Sequence, residues 1–215
     1  EQPFRKETER ATPGYYAVTL DDTQTAIEIA SASHSAIHKW QWPSGTSTAR
    51  MMIDLTKALD GGEVDGMSLA FDESKQRITG ELVNRGSMSG RYGVRVYFDL
   101  RTEKAWTKAT AWGPGLDPEE RASVAGDTDV GAVLEFDVSD GKPLQWKIGL
   151  SIVDAAGATK NLEAQIPAWD LAAVKAATEQ LWREQLGRVK LSGGTDDERR
   201  NFYSSVYHSL MMPTS

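Results

Sequence analysis

Ile37-His38-Lys39-Trp40-Gln41-Trp42-Pro43-Ser44-Gly45 reads as a strand running into a turn. His38, Trp40 and Trp42 fall on one face and Ile37, Lys39 and Gln41 on the other, the period of two that a pleated strand imposes. Pro43-Ser44-Gly45 is turn chemistry. The same grammar extends in both directions. Upstream, Tyr15–Leu20 is aromatic and β-branched until Asp21-Asp22 breaks it, and Ala26–Ser31 sets Ile27 and Ile29 against Glu28. Downstream come Met51–Leu55, Met67–Phe71, Arg77–Val83, Val94–Leu100, Ala105–Trp112, Ala132–Val138 and Trp146–Val153. Asp60-Gly61-Gly62, the loop Asn84–Gly90, Gly113-Pro114-Gly115 and Asp140-Gly141 punctuate them. Short strands at this spacing predict an antiparallel sandwich or barrel. No helix-period pattern separates them, which argues against a parallel α/β fold.

The pattern changes after Ile166. Pro167 suits a helix start, and Leu171, Val174, Thr178, Leu181 and Trp182 recur at spacings of three and four. The spacing predicts a helix running to Leu186, with Gly187 as its stop. Arg188-Val189-Lys190-Leu191 reads as a short strand. Ser192-Gly193-Gly194 then leads into Thr195-Asp196-Asp197-Glu198, a capping box that opens a second helix. Its two aspartates also suit the positive end of the helix dipole. Phe202, Val206 and Leu210 form an apolar stripe beside Tyr203 and Tyr207, and Pro213 ends the readable sequence. Such a stripe needs a partner. It either folds back on the sandwich or opens a helical domain.

Composition narrows the function. A chain of 215 residues with 40% hydrophobic and 26% charged residues is expected to fold rather than stay disordered. Its net charge of -7 argues against nucleic acid and anionic membrane as partners. With no cysteine, a disulfide framework, a zinc–thiolate site and a thiol nucleophile are excluded. No segment approaches the ~18 apolar residues of a membrane span, and Glu1–Arg10 lacks the apolar stretch of a signal peptide.

Four stretches, in order along the chain, carry a family resemblance. Ala11-Thr12-Pro13-Gly14-Tyr15-Tyr16-Ala17-Val18-Thr19-Leu20 is similar to the pattern A-x-P-G-Y-Y-x-V-x-L. Ala26–Pro43 resembles E-L-T-A-T-x-R-x-G-x-H-R-Y-T-F-P, with His38 and Pro43 aligned. Within Ser151–Asp170, Asn161-Leu162-Glu163-Ala164 and Ile166-Pro167-Ala168-Trp169-Asp170 resemble N-L-x-x-E-I-P-x-W-D-F. Phe202-Tyr203-Ser204-Ser205-Val206-Tyr207-His208-Ser209-Leu210 is similar to F-Y-T-A-L-Y-H-S-L. Together they resemble the N-terminal region of the family 92 glycoside hydrolases, exo-acting α-mannosidases.

The resemblance implies a mainly β fold. It would be an antiparallel, supersandwich-like β-sandwich over residues 1–165, then a linker helix and short strand over 166–192. The first helix of a truncated (α/α)6 barrel would occupy 193–215. It implies calcium-assisted hydrolysis of α-mannosides with inversion, by two carboxylates roughly 6.5–9.5 Å apart. Those carboxylates and the Ca2+ site are expected in the barrel, so no catalytic or metal-binding residue is expected in this chain. The implied partners are an α-mannoside glycan and the helical barrel, without nucleic acid or membrane. The implied location is periplasmic or secreted, in bacteria. The chain departs from the pattern in three places. Nothing matches H-L-S-G-T-G, so the sandwich near Phe4 reads as incomplete; His34-Ser35-Ala36 replaces R-x-G; and Ser87-Met88-Ser89 replaces G-x-F-C.

Other motifs have plainer readings. Asp21-Asp22, Glu119-Glu120 and Asp196-Asp197 sit at turns or helix starts, where acids serve local hydrogen bonds. Asp127 with Asp129, and Asp137 with Asp140, lack EF-hand spacing and read as solvated loops. His34 and His38 stand roughly 13 Å apart along a strand, too far for one metal, so His38 reads as a hydrogen-bonded structural residue. A triad of Ser204 or Ser209 with His208 and Asp196 fails on helix geometry. Gly61-Gly62 and Gly193-Gly194 lack the Lys-Ser or Lys-Thr of a phosphate loop. Trp112 at a strand end, Trp169 at the domain junction and His208 on the last helix are the substrate-facing candidates, with packing as the alternative for each. A free-standing carbohydrate-binding sandwich and an adhesion or assembly module are the competing functions.

Overall fold

The structure, a computed structural model, describes residues 3–58, 62–86 and 92–211, apart from the side chain of Met211. The Asp60-Gly61 breaker, the Ser87–Gly90 loop and Pro213 lie outside them. The strands are β1 (Arg10–Thr12), β2 (Tyr15–Thr19), β3 (Ala26–Ser31), β4 (Ser35–Gln41), β5 (Thr48–Asp54), β6 (Glu63–Asp72) and β7 (Arg77–Arg85). They continue with β8 (Val94–Thr102), β9 (Lys108–Gly113), β10 (Leu116–Glu119), β11 (Ser123–Gly126), β12 (Gly131–Asp137) and β13 (Leu144–Ser151). Three helices follow: α1 (Ala155–Gln165), α2 (Leu171–Leu186) and α3 (Asp196–Met211). The strands form a nine-stranded sheet, β1-β2-β3-β4-β13-β8-β7-β6-β11, and a four-stranded sheet, β10-β9-β12-β5. The antiparallel sandwich expected from alternation is therefore present.

The inward residues of the two sheets make the main core. Met67, Leu69, Ile78, Phe98 and Leu100 of the large sheet meet Met51, Ala111, Ala132, Leu134 and Phe136 of the small one. Each such burial of a Leu-sized side chain is worth about 1.5–3 kcal/mol. The opposite face of the large sheet carries a second core, in which Ala30 and Ile37 pack against Leu162, Ile166, Leu171 and Val174. Gly149 lets α1 come this close: a Cβ there would lie 2.4 Å from the Ala158 carbonyl oxygen and 2.7 Å from Leu162 Cβ.

Two buried ionisable side chains tie the helices to this face. Asp99 on β8 is fully buried. It faces Arg77 at 3.0 Å, pairs twice with Arg101 at 3.2 and 3.0 Å, and accepts the Thr159 hydroxyl of α1 at 2.9 Å. Burial alone would raise its pKa, but the hydrogen bonds from Arg101, Arg77 and Thr159 outweigh that and hold the carboxyl below its usual range. Arg101 reaches on to Glu163 of α1 at 2.9 Å. Lys147 on β13 donates to the carbonyls of Ile166 (2.8 Å) and Pro167 (3.3 Å) and lies 4.6 Å from the Trp169 ring centre. Burial first, and the Arg101 charge second, lower its pKa.

Several expectations change. Helix α1 interrupts the segment read as pure sandwich. Its sequence, Ala-Ala-Gly-Ala-Thr-Lys-Asn-Leu-Glu-Ala-Gln, buries only Ala158 and Leu162, too little apolar contrast to show a helical period. Asp154 caps it by accepting the Gly157 N–H at 2.6 Å. Helix α2 starts at Leu171 rather than Pro167, because Asp170 caps the Ala173 N–H at 2.9 Å. Arg188–Leu191 forms no strand; it has no neighbouring strand to pair with and instead meets Tyr203 of α3. Strands β1, β10 and β11 are short, largely exposed pieces that the alternation did not reveal. The capping box is present, with Thr195 N–H donating to Glu198 at 2.8 Å and Glu198 N–H to the Thr195 hydroxyl at 3.3 Å.

His38 also differs from expectation. It is stacked rather than hydrogen-bonded, its ring 3.6 Å from that of Trp146 at 18°. Its Nδ1 is buried without a partner among the described residues, because its cross-strand neighbours are Ile29 and Trp146. Burial pushes the imidazole down to about 3.

Two predictions follow from these groups. The His38 pKa is depressed from about 6.5 when unfolded, so the unfolded chain binds the proton first as pH falls. Between pH 6.5 and 3 the wild type should therefore lose stability relative to His38→Leu, by up to about 1.4 kcal/mol per pH unit. Parallel denaturation curves for the two across that window would sink this account. Separately, Lys147→Met should cost about 1–3 kcal/mol by leaving two carbonyls unpaired. Amide exchange should accelerate in Ile166–Val174 and not in β12; uniform acceleration would refute the local anchor.

Candidate functional site

A concavity of about 680 Å³ lies where α2 and α3 meet the turn ends of β2 and β3. Gly14 has a left-handed φ of 77°, and a Cβ there would fall 2.1 Å from the Thr178 methyl, so only glycine admits α2 here. The Thr178 hydroxyl donates to the Ser31 carbonyl at 2.5 Å and pins the helix to the strand end. On the other side, Trp182 of α2 meets Tyr207 of α3, ring centres 4.9 Å apart and tilted 54°. The Tyr203 hydroxyl donates to the Val189 carbonyl at 3.2 Å and holds the connection.

The cleft is apolar in character. Val174, Ala177, Leu181, Trp182 and Leu210 line it, and none of its lining residues is Asp, Glu or His. Leu181 is 54% exposed and Leu210 45%, a surface that leaves apolar side chains in water at a cost. Glycoside hydrolysis requires two carboxylates flanking the bond, and the residues lining this cleft supply neither. Tyr15 follows Gly14, at the start of β2, and carries a neutral phenol. Its hydroxyl donates to Glu28 at 2.8 Å, Lys175 sits 3.6 Å from its ring centre, and burial with Glu28 nearby pushes it up to about 12. Glu28 in turn pairs with Lys39 at 3.3 Å. That carboxylate is already engaged.

The three residues singled out from the sequence stand apart. The Trp112 indole N–H donates to Asp129 at 3.1 Å, and its ring lies over Gly131 on the small sheet. Trp169 is half-buried and holds the Lys147 ammonium over its ring. His208 is exposed on α3, its ring tilted against Tyr207 at 5.7 Å. No hydrogen bond or ring contact joins any two of them. The acidic residues considered for metal are used locally: Asp127 accepts the Gly66 N–H, Asp137 the Ser139 N–H and hydroxyl, and Asp140 the Lys142 N–H and the Lys104 ammonium. Among the described residues no three His, Asp or Glu side chains converge as a metal requires.

Sequence reasoning missed Asp99, Arg77, Arg101 and Lys147. The available signal was an aspartate inside Tyr97-Phe98-Asp99-Leu100, an apolar strand where an unpaired charge would be untenable.

The model of the glycosyl hydrolase family 92 N-terminal domain matches residues 1–151, and that of the family 92 catalytic domain matches residues 157–215. An uncharacterized secreted glycosidase of Arthroderma benhamiae is 27% identical over 95% of this chain, which covers 28% of that protein. Among solved structures, the family GH92 α-mannosidase BT3965 of Bacteroides thetaiotaomicron superposes with a TM-score of 0.84 at 24% identity, over 97% of this chain and 28% of that one. The inverting mannosidase BT2199 of the same species gives 0.83 at 23% identity, over 97% and 27%. The chain thus spans little more than a quarter of the length of these relatives. With a family model matching well over half of its residues, the chain belongs to glycosyl hydrolase family 92.

Proposed function

We propose that this chain is the N-terminal sandwich and first helices of an exo-acting α-mannosidase, and that it supports the helical catalytic barrel and forms one wall of the substrate pocket. The observation that carries this reading is the cleft between α2, α3 and the β2–β3 end, apolar, open and without carboxylates. A surface of that kind suits a protein neighbour. Solvent-exposed Leu181 and Leu210 are the side chains a barrel would cover. The match to the family's catalytic domain begins within α1 and runs through α2 and α3, which supports reading this end of the chain as the approach to the barrel. The proposed partition is a sandwich over 1–165, a linker over 166–192 and the first barrel helix from 193.

The general acid and base are proposed to lie in the barrel, beyond this chain. Trp169 and His208 are the proposed contributions of this chain to the pocket wall. Trp169 is steadied from one side by Lys147, and His208 is exposed beside Tyr207. Calcium, expected for the parent enzyme, has no set of three ligating side chains among the described residues, so these residues alone do not fit it. Export from the cell is proposed from the secreted relative. No helix among the described residues is long and apolar enough to cross a membrane. A free-standing binding module is the weaker reading, because it has no use for an apolar cleft built from α2 and α3.

The test is an assay of the longer protein that contains this chain, beside the 215-residue chain alone. The longer protein should release mannose from an aryl α-mannoside, with the product first formed as the β anomer, and the 215-residue chain should release none. Cleavage of α-glucosides but not α-mannosides by the longer protein, or equal activity in the short chain, would overturn the assignment.

A further inference from the structure

The outer face of the small sheet is the second surface that the fold leaves open. Its register sets Trp112 of β9, Gly131 of β12 and Asp54 of β5 in one row, and Thr110, Val133 and Met52 in the next. The alternate positions Ala111, Ala132 and Met51 face the core, so both rows point outward. Among the described residues, the helices make their substantial contacts with the large sheet and with one another. Met52 is 66% exposed.

Trp112 is held on this face from two directions. A Cβ on Gly131 would lie 2.2 Å from the ring's Cζ2, so the indole lies across the glycine. Its N–H is fixed to Asp129 Oδ1 at 3.1 Å. Asp129 itself has a left-handed φ of 52°, an unfavourable conformation for a non-glycine residue that the local structure must hold in place. Asp54 ends the same row, its Oδ1 accepting the Thr56 N–H at 2.9 Å and the Thr56 hydroxyl at 2.5 Å. Neither Asp54 nor Asp129 is in an ion pair among the described residues, and the Oδ2 of each has no partner there.

We propose that this face is a carbohydrate-binding surface on which a neutral hexopyranose stacks its C–H face on the Trp112 indole and donates hydroxyls to Asp54 and Asp129. A ring already immobilised on a sheet loses little freedom on binding, which favours it as a stacking platform. Free carboxylate oxygens accept hydroxyl protons strongly. An organic cation would also be drawn to an indole beside carboxylates, but cation recognition typically uses a cage of several aromatic faces, and here there is one ring on an open sheet. The choice of a mannoside as first probe rests on the function proposed above; binding itself is read on the 215-residue chain without any hydrolysis.

The experiment is a titration of the chain followed by amide and indole NMR, with methyl α-D-mannopyranoside, methyl α-D-glucopyranoside and tetramethylammonium as separate probes. Trp112→Phe identifies the Trp112 indole resonance. One of the sugars should shift that resonance saturably in the millimolar range, together with the Thr110 and Val133 amides. Trp112→Phe, read at Thr110, and Met52→Glu, an exposed change that leaves the core intact, should each weaken binding about tenfold. A mannoside that fails while the glucoside binds would confirm the surface and count against the mannoside reading. No saturable shift with either sugar would overturn the proposal, as would binding untouched by both substitutions in folded protein, or tighter binding of tetramethylammonium. Hydrolytic inactivity of the longer protein would leave it standing.

Discussion

The nine-stranded sheet carries apolar residues on both faces, and those residues must be removed from water. That constraint organises the molecule. The four-stranded sheet covers one face through the cluster around Leu134 and Phe136. The other face receives α1 and α2, but its apolar area is small: Ala30 and Ile37 are the buried sheet residues there. Position and register on that side come instead from Asp99 and Lys147. Taking a carboxylate or an ammonium out of water costs several kcal/mol unless partners replace the solvent. Two guanidiniums and a hydroxyl do so for Asp99, and two carbonyls for Lys147. Since Thr159, Ile166 and Pro167 supply these partners, the helices have one position that satisfies the charges. Any slide leaves a buried charge exposed to an apolar wall. The arrangement adds specificity of placement more than net stability, as buried ion pairs commonly do.

The reach of sequence reasoning follows from the same division. Strand β12 was legible because Ala132, Leu134 and Phe136 are buried and Val133, Glu135 and Asp137 are less so, which writes the period of two into the side chains; β8, buried on both faces at Phe98, Asp99 and Leu100, was legible as a β-branched and aromatic run. Helix α2 was legible through Leu171, Val174 and Thr178, which are the residues that it buries. Helix α1 was not. It is fixed by a polar network and two small contacts, and neither leaves an apolar period. Strands β1, β10 and β11 were missed for a related reason: they sit at sheet edges, where exposure removes the alternation. His38 was assigned a hydrogen bond on the strength of its residue type, yet its strand neighbours offer ring and methyl surface in place of acceptors.

The candidate site was legible only in outline. The amphipathic stripe of α3 announced that a partner surface exists, and Leu210 does end at an open cleft. That Leu181 would join it depended on how α2 rolls on the sheet, which Gly14 and Thr178 decide through a contact between segments more than 160 residues apart. Such a contact has no local signature. Trp112 and Trp169 looked alike in sequence, as tryptophans at element ends. The fold separates them, placing one on a glycine facing solvent and the other beneath a buried lysine.

These placements distinguish what each open surface can recognise. The cleft beside α2 offers methyl groups and an indole flank, with no carboxylate or imidazole on its lining. Its free energy of association must come from apolar burial, which rewards a shape-matched protein surface and discriminates poorly among hydroxylated ligands. The outer face of the small sheet has the reverse character. It offers one fixed aromatic plane and two carboxylates with unused oxygens, a mixture suited to a ligand that is apolar on one side and hydroxylated at its edge. A pyranose has that shape. Under these two proposals the sandwich separates two tasks: the helix-bearing side is covered by the barrel, and the outer face of the small sheet meets sugar.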